Sequence, residues 1–240
     1  MTAPSTAAIP ADPKQALAGS VAEIGKGNFT FTMENVDSTT TGAVHAPSKS
    51  GAMETKPKPG ADPFAMSFII IGSERWIKMD LGPELNQAMK LSADKWQHVD
   101  PKKITDPGEL KELSIDFSNP TSLDPAGAGA IFKALVTAER QSEGKYAGTV
   151  DLTQVKDAGA VDEELVTALG EKAKAVPFTA SLDAQGRLTQ LTLDMPAAGE
   201  VAAHKIVISY ADYGAAAQPK QPAASEVVEL PDQTYEMFNN

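Results

Sequence analysis

The stretch Asn28-Phe29-Thr30-Phe31-Thr32-Met33-Glu34 decides the fold class. Its apolar residues Phe29, Phe31 and Met33 alternate with Thr30, Thr32 and Glu34, so an extended chain has one greasy face and one wet face. A period of 2 is the signature of a half-buried strand. Upstream, Asp12-Pro13 supplies an N-cap and a first-turn proline for a short helix with Leu17, Val21 and Ile24 on one face. Gly25 and Gly27 are placed to stop it. The small, Pro-bearing residues 1–11 read as a flexible N-terminal spacer.

Downstream the same alternation returns. Thr40 to His45 reads as the hairpin partner of the first strand, joined through Asp37-Ser38-Thr39. Pro47 to Pro63 is rich in Pro, Lys, Ser and Gly and reads as a long exposed loop. Phe64 to Ile71 and Glu74 to Asp80 are strands on either side of Gly72-Ser73, and Lys95 to Val99 is another. Ala128 to Glu139 reads as a helix with Ile131, Ala134, Leu135 and Ala138 on one face, followed by a strand at Lys145 to Leu152. Val161 to Ala175 reads as a helix with the stripe Val161, Leu165, Ala168 and Leu169, ended by Pro177. Strands at Phe178 to Leu182, Leu188 to Leu193 and Lys205 to Tyr210 complete the pattern. The expectation is an α+β fold, an antiparallel sheet of roughly eight to ten strands with helices covering one face. Residues 12–230 form the expected single domain, and 231–240 the C-terminal tail.

Composition narrows the function. The 240 residues carry 32 acidic and 21 basic side chains, a net charge of −11, which excludes the clustered Lys and Arg that nucleic acid requires. There is no cysteine, hence no disulfide, thiolate metal site or thiol nucleophile. The longest apolar runs, such as Phe68 to Ile71, fall far short of the ~20 residues of a spanning helix. His45, His98 and His204 stand apart at no metal-ligand spacing, and the common hydrolase and nucleotide-binding motifs are absent. No catalytic residue, metal or cofactor is therefore assigned. Trp76 and Trp96 fall in strands, where they either plug the core or line the mouth of an apolar cavity.

The order of several segments carries a resemblance. Lys95-Trp96-Gln97-His98-Val99-Asp100-Pro101 is followed by Gly144-Lys145-Tyr146-Ala147-Gly148-Thr149-Val150-Asp151-Leu152. Then come Asp183-Ala184-Gln185-Gly186-Arg187-Leu188 and Tyr210-Ala211-Asp212-Tyr213-Gly214, with an ending at Pro222-Ala223-Ala224-Ser225-Glu226-Val227-Val228. Over about residues 20–230 this ordered set resembles the actinobacterial LppX/LprAFG-type lipoproteins. The resemblance implies a half-barrel similar to LolA and LolB, a curved antiparallel sheet with helices on its concave face. It also implies an N-terminal lipid anchor, absent from this chain, that tethers the protein to the outer face of the cell membrane after its signal peptide is removed.

A non-enzymatic lipid-binding or lipid-carrier role follows, with acyl chains of a lipid or lipidated glycoconjugate held between sheet and helices. The expected lining is Phe29, Phe31, Met33, Phe68, Ile70, Ile77 and Met79 from the strands, with Ile131, Leu135, Leu165 and Leu169 from the helices. If the opposite strand face were the inner one, Ile69, Ile71, Trp76 and Lys78 would replace the residues of the two later strands. A close-packed core explains the same residues. The alternative function is a compact envelope scaffold or sensor domain with a filled interior and no ligand.

Overall fold

A computed structural model of the chain describes residues 9–104, 115–155, 158–161, 163–199 and 201–239. It is an α+β protein with an open sheet of 12 strands and few helices. The strands are β1 (Asn28–Glu34), β2 (Ser38–His45), β3 (Ser50–Pro57), β4 (Ala65–Ile71), β5 (Glu74–Asp80) and β6 (Trp96–Val99). They continue with β7 (Leu135–Ser142), β8 (Lys145–Val150), β9 (Val176–Leu182), β10 (Leu188–Met195), β11 (His204–Ala211) and β12 (Val227–Glu229). The spatial order is β12-β6-β5-β4-β3-β2-β1-β11-β10-β9-β8-β7. Among the registers described, only β12 with β6 is parallel.

The α-helices are short: α1 (Pro13–Ser20), α2 (Pro83–Ala88), α3 (Ala128–Lys133), α4 (Glu163–Leu169) and α5 (Asp232–Phe238). At α1 the Asp12 carboxylate accepts from the Gln15 amide at 2.8 Å, and Pro13 fills the first turn. Cα proximity divides the chain into two compact units. One comprises residues 1–26, 33–36 and 124–211; the other comprises 27–32, 37–123 and 212–240.

Several segments depart from expectation. The exposed loop expected over 47–63 contains β3, which pairs along its length with β2 and over most of it with β4. Met53 and Thr55 face one way and Ala52, Glu54 and Lys56 the other, and Pro57 sits at the strand end, where its missing amide costs no ladder bond. The helix expected over Ala128–Glu139 is α3 alone, and Leu135 opens β7 instead. Val136 and Thr137 are β-branched, and the β7–β8 hairpin supplies the backbone partners a helix would have given. The helix expected over Val161–Ala175 is α4 followed by a 3-10 turn at Gly170–Ala175; Gly170 adopts φ 56°, which ends α-geometry. Helix α2 was not expected, although Gly82-Pro83-Glu84 is a helix start. The tail expected at 231–240 holds α5.

In the first unit the core is Leu17 and Ile24, Ile131 and Phe132 of α3, and the inner residues of β8 to β11, all buried. Asp124 fastens the start of α3. Its carboxylate accepts from the Gly127 and Gly129 amides at 3.1 and 2.9 Å and from the Tyr210 hydroxyl at 2.6 Å. Packing around that carboxylate pushes its pKa up, against the downward pull of these hydrogen bonds.

Candidate functional site

The second unit holds the more informative surface. Gly42, Met53, Phe68, Ile77 and Gln97 are successive cross-strand partners from β2 to β6, so their side-chain positions share one face. Two residues along, Val44, Gly51, Ile70, Arg75 and Val99 form a second row on that face. A Cβ on Gly42 would collide with the Phe31 ring, so glycine there lets the ring lie flat on the strand. The ring of Phe31 meets that of Phe29 at 6.4 Å, and Phe29 meets Tyr213 at 6.2 Å.

Phe68, Ile70, Ile77, Met79 and Val99 form one buried cluster with Leu91, Leu230 and Tyr235. Partly buried Met66, Leu81, Met89, Ile104, Ile115 and Phe117 pack against it. The sheet face is thus covered by short pieces: the turns on either side of α2, residues 115–117, and the C-terminal segment with α5. Polar bonds tie the last to the rest: the Tyr235 hydroxyl accepts from the Asp100 amide at 2.7 Å, and Lys103 pairs with Asp232 at 2.7 Å. Thr234 donates to the Met89 carbonyl at 3.2 Å.

Ile115 and Phe117 also line a solvent-open cleft of about 440 Å³ with Lys49, Arg75, Asp116 and Ser118. Burial lowers the Arg75 pKa, partly offset by the charge of Glu74, and its guanidinium donates to the Ser73 carbonyl at 2.8 Å. Lys49 is held at φ 49° after β2. Two cations and the Asp116 carboxylate, held ionised by its hydrogen bonds from Ser118, therefore stand where the apolar layer meets water, a net positive arrangement able to hold an anionic group beside buried hydrocarbon.

A trough of about 480 Å³ runs over β1 to β4, lined by Phe31, Gly42, Met53 and Phe68 as well as by Ala43, Ala52 and Ile69, with Trp96 also in its wall. Trp76 is buried, and its ring lies 5.8 Å from that of His98 at a tilt of 39°. Of the residues that would replace the chosen lining, Ile69, Ile71 and Lys78 are half-buried. His98 bridges strands: Nε2 lies 2.8 Å from Glu74 and Nδ1 3.3 Å from Glu229. Desolvation lowers its pKa, but the hydrogen bonds and charges of the two glutamates outweigh that and raise it.

The eleven expected lining residues divide between the units. Phe29, Phe31, Phe68, Ile70, Ile77 and Met79 lie in the second, each no more than 5% exposed. Met33, Ile131, Leu135, Leu165 and Leu169 lie in the first; Ile131 and Leu169 are buried, and Met33, Leu135 and Leu165 half-buried. Ala168, expected on the apolar stripe of α4, is exposed, while Leu165 and Leu169 of that stripe turn inward. Leu91, Leu230, Tyr235 and Gln97 were not anticipated. The signal for Tyr235 was faint: one aromatic in a polar C-terminal stretch.

No family model and no curated protein sequence matches the chain. Function therefore rests on the residues. Each histidine has a local partner: His45 lies 2.6 Å from the Ser48 hydroxyl within one turn, and His204 lies 3.0 Å from the Ala202 carbonyl. Among the described residues, no three His, Asp or Glu side chains converge as a metal site.

Proposed function

We propose that this protein is a non-enzymatic lipid-binding or lipid-carrier module of the cell envelope. Acyl chains occupy the apolar layer on the β2–β6 face, and the headgroup lies at the cleft beside Lys49 and Arg75. The observation that supports this reading is the continuity of the two: Ile115 and Phe117 belong to both the apolar cluster and the cleft wall. Met66, Met79 and Met89 in and around the cluster give it unbranched, deformable side chains, suited to a space that must fill and empty. The cover consists of short elements that open at smaller cost than one long packed helix. Burying each methylene contributes about 0.8 kcal/mol, so an acyl chain needs no charged contact to be retained. The half-barrel arrangement, the N-terminal lipid anchor and the place at the outer face of the cell membrane belong to this proposal through the resemblance to LppX/LprAFG-type lipoproteins.

Native mass spectrometry of the full chain purified from a membrane-containing lysate tests it. The expected result is a population carrying one acyl-lipid mass that collapses to apoprotein on solvent extraction. Recovery of apoprotein alone, before and after incubation with phospholipid vesicles, would favour the filled scaffold instead.

A further inference from the structure

We infer that Gln97 is a specificity-determining contact in this layer, reading a hydrogen-bonding group carried within the lipid: an ester carbonyl next to a free hydroxyl, as in an acylglycerol. The inference rests on the proposed lipid-binding reading and adds the chemistry of the ligand. Gln97 is 0% exposed, and its cross-strand partners, Ile77 on β5 and Val228 on β12, offer no polar side chain. Both its carboxamide nitrogen and its carboxamide oxygen lack a hydrogen-bond partner among the described residues. Buried side-chain amides are nearly always satisfied, because a desolvated donor and acceptor left unpaired oppose folding. An apolar residue of this size would fill the position without that penalty.

The carboxamide can donate through Nε2 and accept through Oε1, so its complement carries both an acceptor and a donor close together. A hydrocarbon offers neither, and a simple ether with no hydroxyl offers only a weak acceptor. An ester beside a hydroxyl offers both. Gln97 also lies directly opposite the cluster member Ile77 and two residues from Val99, on the face where the chains would lie. A ligand reaching it lies under the C-terminal segment, whose Leu230 and Tyr235 close the layer.

The test uses the full chain, glycerol monooleate and the matching glycerol mono-oleyl ether, with affinities read by displacement of a fluorescent fatty-acyl probe. The two ligands share chain and hydroxyls and differ only in the carbonyl. Wild type is expected to favour the ester by about tenfold. Gln97→Met, close in size, and Gln97→Leu are expected to lose that preference, because both ligands lose the hydroxyl bond alike and only the ester also loses its carbonyl bond, and to show a higher Tm. Retention of the preference in folded Gln97→Met would overturn the assignment while leaving lipid binding intact. Wild-type protein that binds neither the fatty-acyl probe nor either ligand would overturn both.

Discussion

Tyr210→Phe isolates one interaction in the first unit with little change in shape. The Tyr210 hydroxyl donates to Asp124 at 2.6 Å, and the same carboxylate holds the Gly127 and Gly129 amides at the start of α3. Tyr210 is 3% exposed, so water does not replace the lost donor freely. A hydrogen bond to a charged partner contributes about 1.5–3 kcal/mol and a neutral one about 0.5–1.5 kcal/mol. Packing holds the Asp124 pKa above its ordinary value and the Tyr210 bond pulls it down, so the variant raises it further. An acid whose folded pKa is raised gives its full stability below the ordinary carboxylate pKa and loses it as pH rises through the folded value. The cost of Tyr210→Phe should therefore lie in the neutral-bond range at about pH 3, where the carboxyl is protonated, and rise with pH once it ionises. Urea denaturation, with amide exchange at Gly127 and Gly129 as the local probe, measures it. A loss below roughly 0.5 kcal/mol across the pH range, or unchanged exchange at Gly127 and Gly129, would refute the account of Asp124 as the anchor of α3.

His98 gives a second pH-dependent prediction of opposite sign in its charge. Its folded pKa is raised by Glu74 and Glu229 against desolvation, so its stabilising effect is complete below about pH 6.5 and fades as pH rises through the folded value. A Tm series from about pH 5.5 to 8.5 should fall more steeply for wild type than for His98→Gln, and parallel curves would remove the bridge between β5, β6 and β12 from the account. Ala168→Trp, on the exposed side of α4, should change stability by less than about 0.5 kcal/mol and leave lipid recovery intact. Loss of lipid in that variant would return α4 to the binding wall.

The strands were the most readable part of the chain. Phe29, Phe31 and Met33, and later Phe68, Ile70, Ile77 and Met79, announce their spacing locally, and burial follows it on that face: Phe29, Phe31 and the β4 and β5 residues are buried, with Met33 half-buried. What was less readable depended on partners. Met53 and Thr55 of β3 alternate weakly amid Pro, Lys and Gly, and become a strand because β2 and β4 offer ladders on both sides. Leu135 has the spacing of the α3 stripe, yet the hairpin to β8 claims it.

For the candidate site, reading along the chain shows which residues are apolar, their period along each strand, and the absence of any local motif for catalysis or metal binding. Only the tertiary structure decided that Phe68, Ile77 and Met79 share a layer with Leu91, Leu230 and Tyr235, that Lys49 and Arg75 meet at its edge, and that Gln97 is buried without a partner. The reason is physical. Alternation is a property of neighbours in the chain, set by backbone geometry, whereas burial and hydrogen-bond satisfaction depend on which distant segment arrives to cover a face.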